Sequence, residues 1–201
     1  MGMPRQKKED AMSAPRPPLL LGVDVQPSAL FAVALINTRP ERGGIEGLES
    51  SADLVAIGEQ SFVFYVPDRT EAEIVALRRL RVQLDEIVTA PSMQRRFDLI
   101  NDLFRAASAI PHIVMHEPDP YPHFHYTMDD AAYSDKIKGI TAYAMGRLII
   151  MDELHRLKTC EGNDCNRLFL DTTRNSIRRY CDGRTCGNRI HTARYRSRRA
   201  G

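Results

Sequence analysis

No cysteine occurs in the first 159 of the chain's 201 residues; all four stand in the last quarter, at Cys160, Cys165, Cys181 and Cys186. Long hydrophobic runs are missing as well. Stretches such as Ala29 to Ile36 fall far short of the ~20 apolar residues that cross a bilayer. The polar, Pro-bearing first residues carry no apolar signal-peptide core, so the expected location is cytoplasmic, with no membrane partner. Thiols stay reduced there, which argues against a disulfide framework and for metal binding. A nucleophile paired with a base, a phosphate loop and a paired-carboxylate motif are also missing. Gly43-Gly44 does not make a P-loop, and Asp129-Asp130 and Asp152-Glu153 are adjacent acids that do not share a helix face. Catalysis is not expected. There is no internal repeat and no sustained heptad run.

What is present supports one sizeable core plus a small module, with 43% hydrophobic and 27% charged residues. The net charge of +2 hides a segregation: residues 174 to 201 hold nine Arg against the single acid Asp182, so this tail is +8 and the rest of the chain −6. An acidic body with a basic tail suits a polyanion partner, of which nucleic acid is the commonest in a cell.

Residues 1–18, with four Pro and almost no large apolar residue, read as a disordered tail. From Leu19 to Ile36 the pattern is apolar and compatible with strand or helix. Ser50 and Ser51 precede a short helix over Ala52 to Glu59, and Phe62 to Val66, stopped by Pro67, reads as a buried strand. Thr70 with Glu73 fits a capping box before the stripe of Ile74, Leu77, Arg81, Leu84 and Val88. A second helix follows Pro91, with Met93, Phe97, Ile100, Leu103 and Ala107 at helical spacing, and the two are expected to pack as a hairpin. Ile113 to His116 and Phe124 to Thr127 read as short strands joined by a Pro-rich loop. His112, His116, His123 and His125 gather around that loop, as a solvated cluster or as a second metal or small-ligand contact. Ile137, Ile140, Ala144, Leu148, Met151 and Leu154 then mark a long helix that delivers the chain to Cys160.

The cysteine spacing is C-x4-C-x15-C-x4-C. Two such pairs can close a tetrahedron of thiolates on Zn2+ with no open position for a reactive water, so one structural zinc is expected, with an iron-sulfur cluster as the weaker reading. His155 and His191 are not needed as ligands.

Cys160-Glu161-Gly162-Asn163-Asp164-Cys165, Phe169-Leu170-Asp171-Thr172-Thr173-Arg174-Asn175, and Arg178-Arg179-Tyr180-Cys181 leading to Cys186-Gly187-Asn188-Arg189 together closely resemble the bacterial CGNR zinc-finger family. In that family the finger follows an N-terminal domain of the stress-induced transcription-regulator (ABATE) type, often opening with Leu-Asp-Phe-x-Asn-Thr, to which Leu35-Ile36-Asn37-Thr38-Arg39 is similar. Ala34 replaces the usual acid, Tyr180 the usual Trp, and His191 and Ala193 two basic positions. The resemblance implies DNA binding, transcription regulation and a stress response.

Physically, Asn188 could cap a helix starting at the last zinc ligand, on which Arg189, Arg196 and Arg199 form one stripe and His191, Arg194 and Arg198 another. With Arg178 and Arg179 these arginines are the candidate nucleic-acid contacts, able to fork onto phosphates or guanine edges. A zinc with four thiolates carries about −2, which leaves the module near +6. The opposing reading has Arg174, Arg178 and Arg179 only neutralising the thiolates and pairing with Asp171 and Asp182. The expected architecture is α+β: a mostly helical regulatory domain over 19–157 with a few short strands and room for a small-molecule effector, then a four-cysteine zinc finger with basic tail over 158–201. The expected function is DNA binding in transcription regulation. The alternative is a non-catalytic, zinc-stabilised protein-interaction or RNA-binding module.

Overall fold

The computed structural model describes residues 21–22, 25–61, 70–116 and 119–188. The expected N-terminal tail, the strand over Phe62 to Val66, and Arg189, His191, Arg194, Arg196, Arg198 and Arg199 lie outside the described residues.

Helix α1 (Val25–Ile36) occupies the centre of the molecule. Ala29, Phe31, Ala32, Leu35 and Ile36 are fully buried on one side, and the apolar Leu30 and Ala34 on the other are half-buried against the same core. A helix apolar on every side must be enclosed by neighbours, and the same uniform apolarity is why periodicity alone left helix and strand open. Around it pack α3 (Ser51–Ser61), α4 (Glu71–Thr89) and α6 (Tyr133–Ile150), while α5 (Met93–Ala106) lies against α4 and α6 as the expected hairpin requires. Pro40 opens the single turn α2 (Pro40–Gly43), and Gly44, at φ 91°, closes it by donating to the Pro40 carbonyl over 2.8 Å.

Thr70 caps α4 by accepting from the Glu73 N–H at 3.3 Å, and Ser92 caps α5 by accepting from the Arg95 N–H at 3.2 Å. Glu73 turns outward from its own helix, however. Its carboxylate accepts from the N–H groups of Tyr133 (3.1 Å) and Ser134 (2.9 Å), capping α6, whose own N-cap residue Ala132 has no side chain able to do so.

Strands β1 (His112–His116) and β2 (Asp119–His125) pair antiparallel, with His112 opposite His125 and Val114 opposite His123. Residues 119–122 of the Pro-rich stretch are therefore strand rather than loop: Pro120 and Pro122 belong to β2. A two-stranded ribbon leaves one edge of each strand unpaired, where a proline's missing N–H costs no ladder bond.

The long helix does not run on to Cys160 as its stripe suggested. It stops at Ile150; Asp152 adopts a left-handed backbone (φ 57°), and a tight turn over Leu154–Arg156 leads into β3 (Leu157–Thr159). That strand pairs antiparallel with β4 (Leu168–Leu170), Leu157 facing Leu170 and Thr159 facing Leu168. Leu168 and Leu170 are buried in the same core as α1, so the cysteine module is packed onto the helices rather than tethered to them. No described helix is long and apolar enough to cross a membrane.

Candidate metal centre

The β3–β4 hairpin places Cys160 immediately after one strand, and Cys165 shortly before the other. Cys160 donates its N–H to the Arg167 carbonyl at 2.9 Å, and Cys165 donates to the Gly162 carbonyl at 3.2 Å, folding the four intervening residues into a knuckle. Gly162 sits at its tightest point, where a Cβ would come within 3.2 Å of the Cys186 Cβ and 3.3 Å of the Cys160 Sγ.

The second pair is brought back by a loop organised around Asp171, which is fully buried. One carboxylate oxygen accepts from the Thr173 N–H (3.0 Å) and hydroxyl (2.5 Å); the other accepts from the Arg178 N–H (2.7 Å) and the Lys158 ammonium (2.8 Å). Burial alone would raise this carboxyl's pKa, but the Lys158 ammonium and the donors of Thr173 and Arg178 outweigh it and hold it well below the usual carboxylate range. Lys158 also donates to the carbonyls of Ser176 (2.6 Å) and Arg178 (3.3 Å). Cys181 follows this loop, and Asp182 next to it accepts from the N–H groups of Arg184 (2.6 Å) and Thr185 (3.0 Å), capping the helical turn Gly183–Gly187 that carries Cys186. The cap is therefore Asp182. Asn188 already has helical backbone angles, so the N-cap role expected for it does not hold.

All four cysteine sulfurs converge within 4.8 Å of one another, and none forms a disulfide. Cys165 and Cys181 sulfurs are 3.8 Å apart, and those of Cys181 and Cys186 3.7 Å. A tetrahedral Zn2+ with bonds of about 2.3 Å has sulfur–sulfur edges of about 3.8 Å, so the donor set already has the right size. Its electrostatics fit a cation too. The Cys160 sulfur accepts from the N–H groups of Cys181 (3.3 Å) and Gly162 (3.4 Å), which against the cost of burial carry its pKa below the ordinary thiol value. Burial and the neighbouring sulfurs push the Cys165 and Cys181 thiols up. Four sulfurs this close cannot ionise together without a cation between them. The site is that of one structural zinc ion, as expected from the spacing.

Of the candidate nucleic-acid contacts, Arg178 and Arg179 are described. Arg178 lies over the Phe169 ring, 5.1 Å from its centroid, and donates to the carbonyls of Tyr180 (2.8 Å) and Cys181, tying down the approach to the second cysteine pair. Arg179 is 56% exposed and paired with Glu161 across the two knuckles. Asp171 pairs with Lys158, not with an arginine side chain as the opposing reading had it.

The residues that dock the module on the helices escaped sequence reasoning. Asn37, just beyond α1, donates its side-chain amide to the Leu168 carbonyl and accepts from the Leu168 N–H, each at 2.8 Å, and so takes up the free edge of β4. Thr38 accepts from Arg81 at 2.8 Å, and Arg81 in turn grips Glu46 through two bonds of 2.6 and 2.5 Å. Arg39 and Arg42 converge on Asp85 of α4 at 2.5 and 2.6 Å, while Arg42 reaches the Asn166 carbonyl at 3.3 Å. The Asn-Thr pair in the family-like Leu35 to Arg39 segment was the available signal.

Residues 31–151 match the sequence model of the family described as "Putative stress-induced transcription regulator", abbreviated ABATE, and residues 156–199 match the CGNR zinc finger. No curated protein matches the chain.

Proposed function

Because the chain belongs to the stress-induced transcription-regulator family and carries its CGNR zinc finger, we propose that it binds DNA through the basic segment that leaves the zinc site. One observation carries this reading. The last ligand, Cys186, stands on a helical turn capped by Asp182, and Asn188 continues with helical backbone angles into a sequence holding Arg189, Arg194, Arg196, Arg198 and Arg199. The zinc-anchored turn thus fixes the direction in which the chain leaves the module at Asn188, and five arginines follow in the sequence. Arg179, exposed beside the knuckles, is a sixth candidate contact. Arg178, whose guanidinium donates to the Tyr180 and Cys181 carbonyls, is the seventh candidate contact.

The role is regulatory and non-catalytic, and its setting the cytoplasm. Residues 19–157 act as the regulatory domain and 158–201 as the finger. The Asn37 clamp on Leu168 is the physical link: an effector that shifts the end of α1 moves β4 and the zinc module with it.

The test is duplex binding by fluorescence anisotropy across a salt series. Wild type should bind with affinity falling steeply in salt, and R194A/R198A should lower the slope of log affinity against log salt by about 0.9 for each phosphate no longer neutralised. Weaker discrimination at one base pair, by about 1 to 3 kcal/mol, would assign guanine recognition instead. An unchanged affinity and slope in a zinc-loaded double variant would remove this face. Absence of duplex binding by the wild type at low salt would overturn the proposal, and selective binding of RNA or protein would favour the alternative.

A further inference from the structure

We infer that His112, His125 and Asp129 form a second, exchangeable binding site for a divalent first-row transition-metal ion, separate from the cysteine centre. The strand register sets His112 directly opposite His125, and their rings meet edge to face with centroids 5.8 Å apart. Asp129, four residues beyond His125, brings its Oδ1 to 3.3 Å from the His125 Nδ1. One donor atom from each of the three residues lies within 4.8 Å of the others. The 3.3 Å separation is the edge expected for a tetrahedral ion with bonds of about 2.0 Å.

The tautomers suit ligation. A carbonyl can only accept, so the 3.2 Å contact between the His112 Nδ1 and the Ile110 carbonyl makes Nδ1 the donor and leaves a lone pair on Nε2. A carbonyl partner on the second ring nitrogen is the usual support of a metal-bound imidazole. At His125, moving the proton from Nδ1 to Nε2 frees the lone pair that faces Asp129. His123, on the same face of β2, has its ring 5.2 Å from that of His125 and narrows the approach.

The mount is firm. Ile110 donates to the Tyr126 carbonyl at 3.0 Å, closing the base of the hairpin, and Tyr126 is buried and stacked on Tyr143 of α6. Gly139 of α6 lets Tyr126 and Thr127 approach so closely that a Cβ there would meet them at 3.2 and 3.3 Å. Lys136 of α6 donates to the Asp129 carbonyl at 2.5 Å, and Ala131 donates to the Met128 carbonyl at 3.1 Å, fixing the turn that presents the carboxylate. Two imidazoles and one carboxylate, with His112 and His125 only half-buried, leave coordination positions open to water. That distinguishes this site from the closed thiolate shell, and selects ions such as Zn2+, Ni2+ or Co2+ over Mg2+ or Ca2+.

The experiment uses the full chain purified with its cysteine-bound zinc, titrated with Ni2+ by calorimetry and checked by elemental analysis after gel filtration. One further equivalent is expected on wild type, an affinity drop of about tenfold or more for D129N, and no saturable second equivalent for H112A/H125A. Zinc content and unfolding temperature should be unchanged in both variants, which separates removal of a ligand from misfolding. Failure of the wild type to take up Ni2+ or Zn2+ beyond the first equivalent would overturn the assignment, as would equal uptake by H112A/H125A.

Discussion

Asn37 carries more of the architecture than its size suggests. Its amide satisfies both backbone groups of Leu168 at a place from which water is excluded. Asn37→Ala leaves a buried donor and a buried acceptor unpaired, each costing about 1 to 3 kcal/mol. We expect a loss of about 2 to 4 kcal/mol in urea unfolding followed by far-UV circular dichroism, with zinc content retained, because no cysteine is touched. Glu46 gives a second residue-scale outcome. The bonds from Arg81, against a smaller cost of burial and helped by the Leu48 N–H, hold its carboxyl down at about 2 from 4.5. The folded state binds this proton less readily than the unfolded chain. Its contribution is therefore complete above about pH 4.5 and lost as pH falls towards 2. Wild type and Glu46→Gln should converge in stability across that window and differ by a constant amount above it, measured by urea melts at stepped pH.

Helices show how local rules are redirected by neighbours. Thr70-x-x-Glu73 has the residues of a capping box, and Thr70 performs its half of it. Glu73 instead spans to a helix sixty residues on, because Ala132 leaves the start of α6 uncapped and the negative carboxylate suits that positive end. Glu73→Ala should accordingly destabilise α6 by about 1 to 2 kcal/mol. Native-state hydrogen exchange reads this out as lowered protection in α6 with little change in α4; the reverse pattern would mean that the residue acts as a box member.

At the scale of the whole molecule, the zinc module and the helical body share one core through Leu168 and Leu170. Removing the metal with a chelator should release the parts held chiefly by the thiolates, the knuckle 161–165 and residues 179–188, while the Asp171–Lys158 network keeps 171–178 in place. The β3–β4 hairpin should stay docked on α1, held by buried leucines and Asn37. Limited proteolysis of the chelated protein is expected to cut within 179–188 and to spare 70–116. Cleavage throughout both regions would show that zinc stabilises the body as well. The hairpin's leucines, which share the helical core, join the zinc module to the body by packing rather than through the ion.

Cysteine number, spacing and position determine the zinc site by themselves, because four soft donors in two short-range pairs have few other ways to be satisfied in a reduced chain. The stripes of α4, α5 and α6 were legible for a similar reason: burial of one face imposes a period of about 3.6 residues. The helical state of α1 was not, since apolar residues on every side erase the period, and neither was the end of α6, which a left-handed Asp152 decides within a still apolar run. The proline-bearing start of β2, 119–122, reads as a loop until its partner strand shows which edge is open. Only the tertiary structure decided that Asn37 faces Leu168, that Glu73 serves another helix, that Lys158 answers Asp171, and that His112 meets His125. Each of those pairings joins residues distant in the chain, or on different elements, through directional bonds, and periodicity and composition carry no record of which partner a side chain will meet.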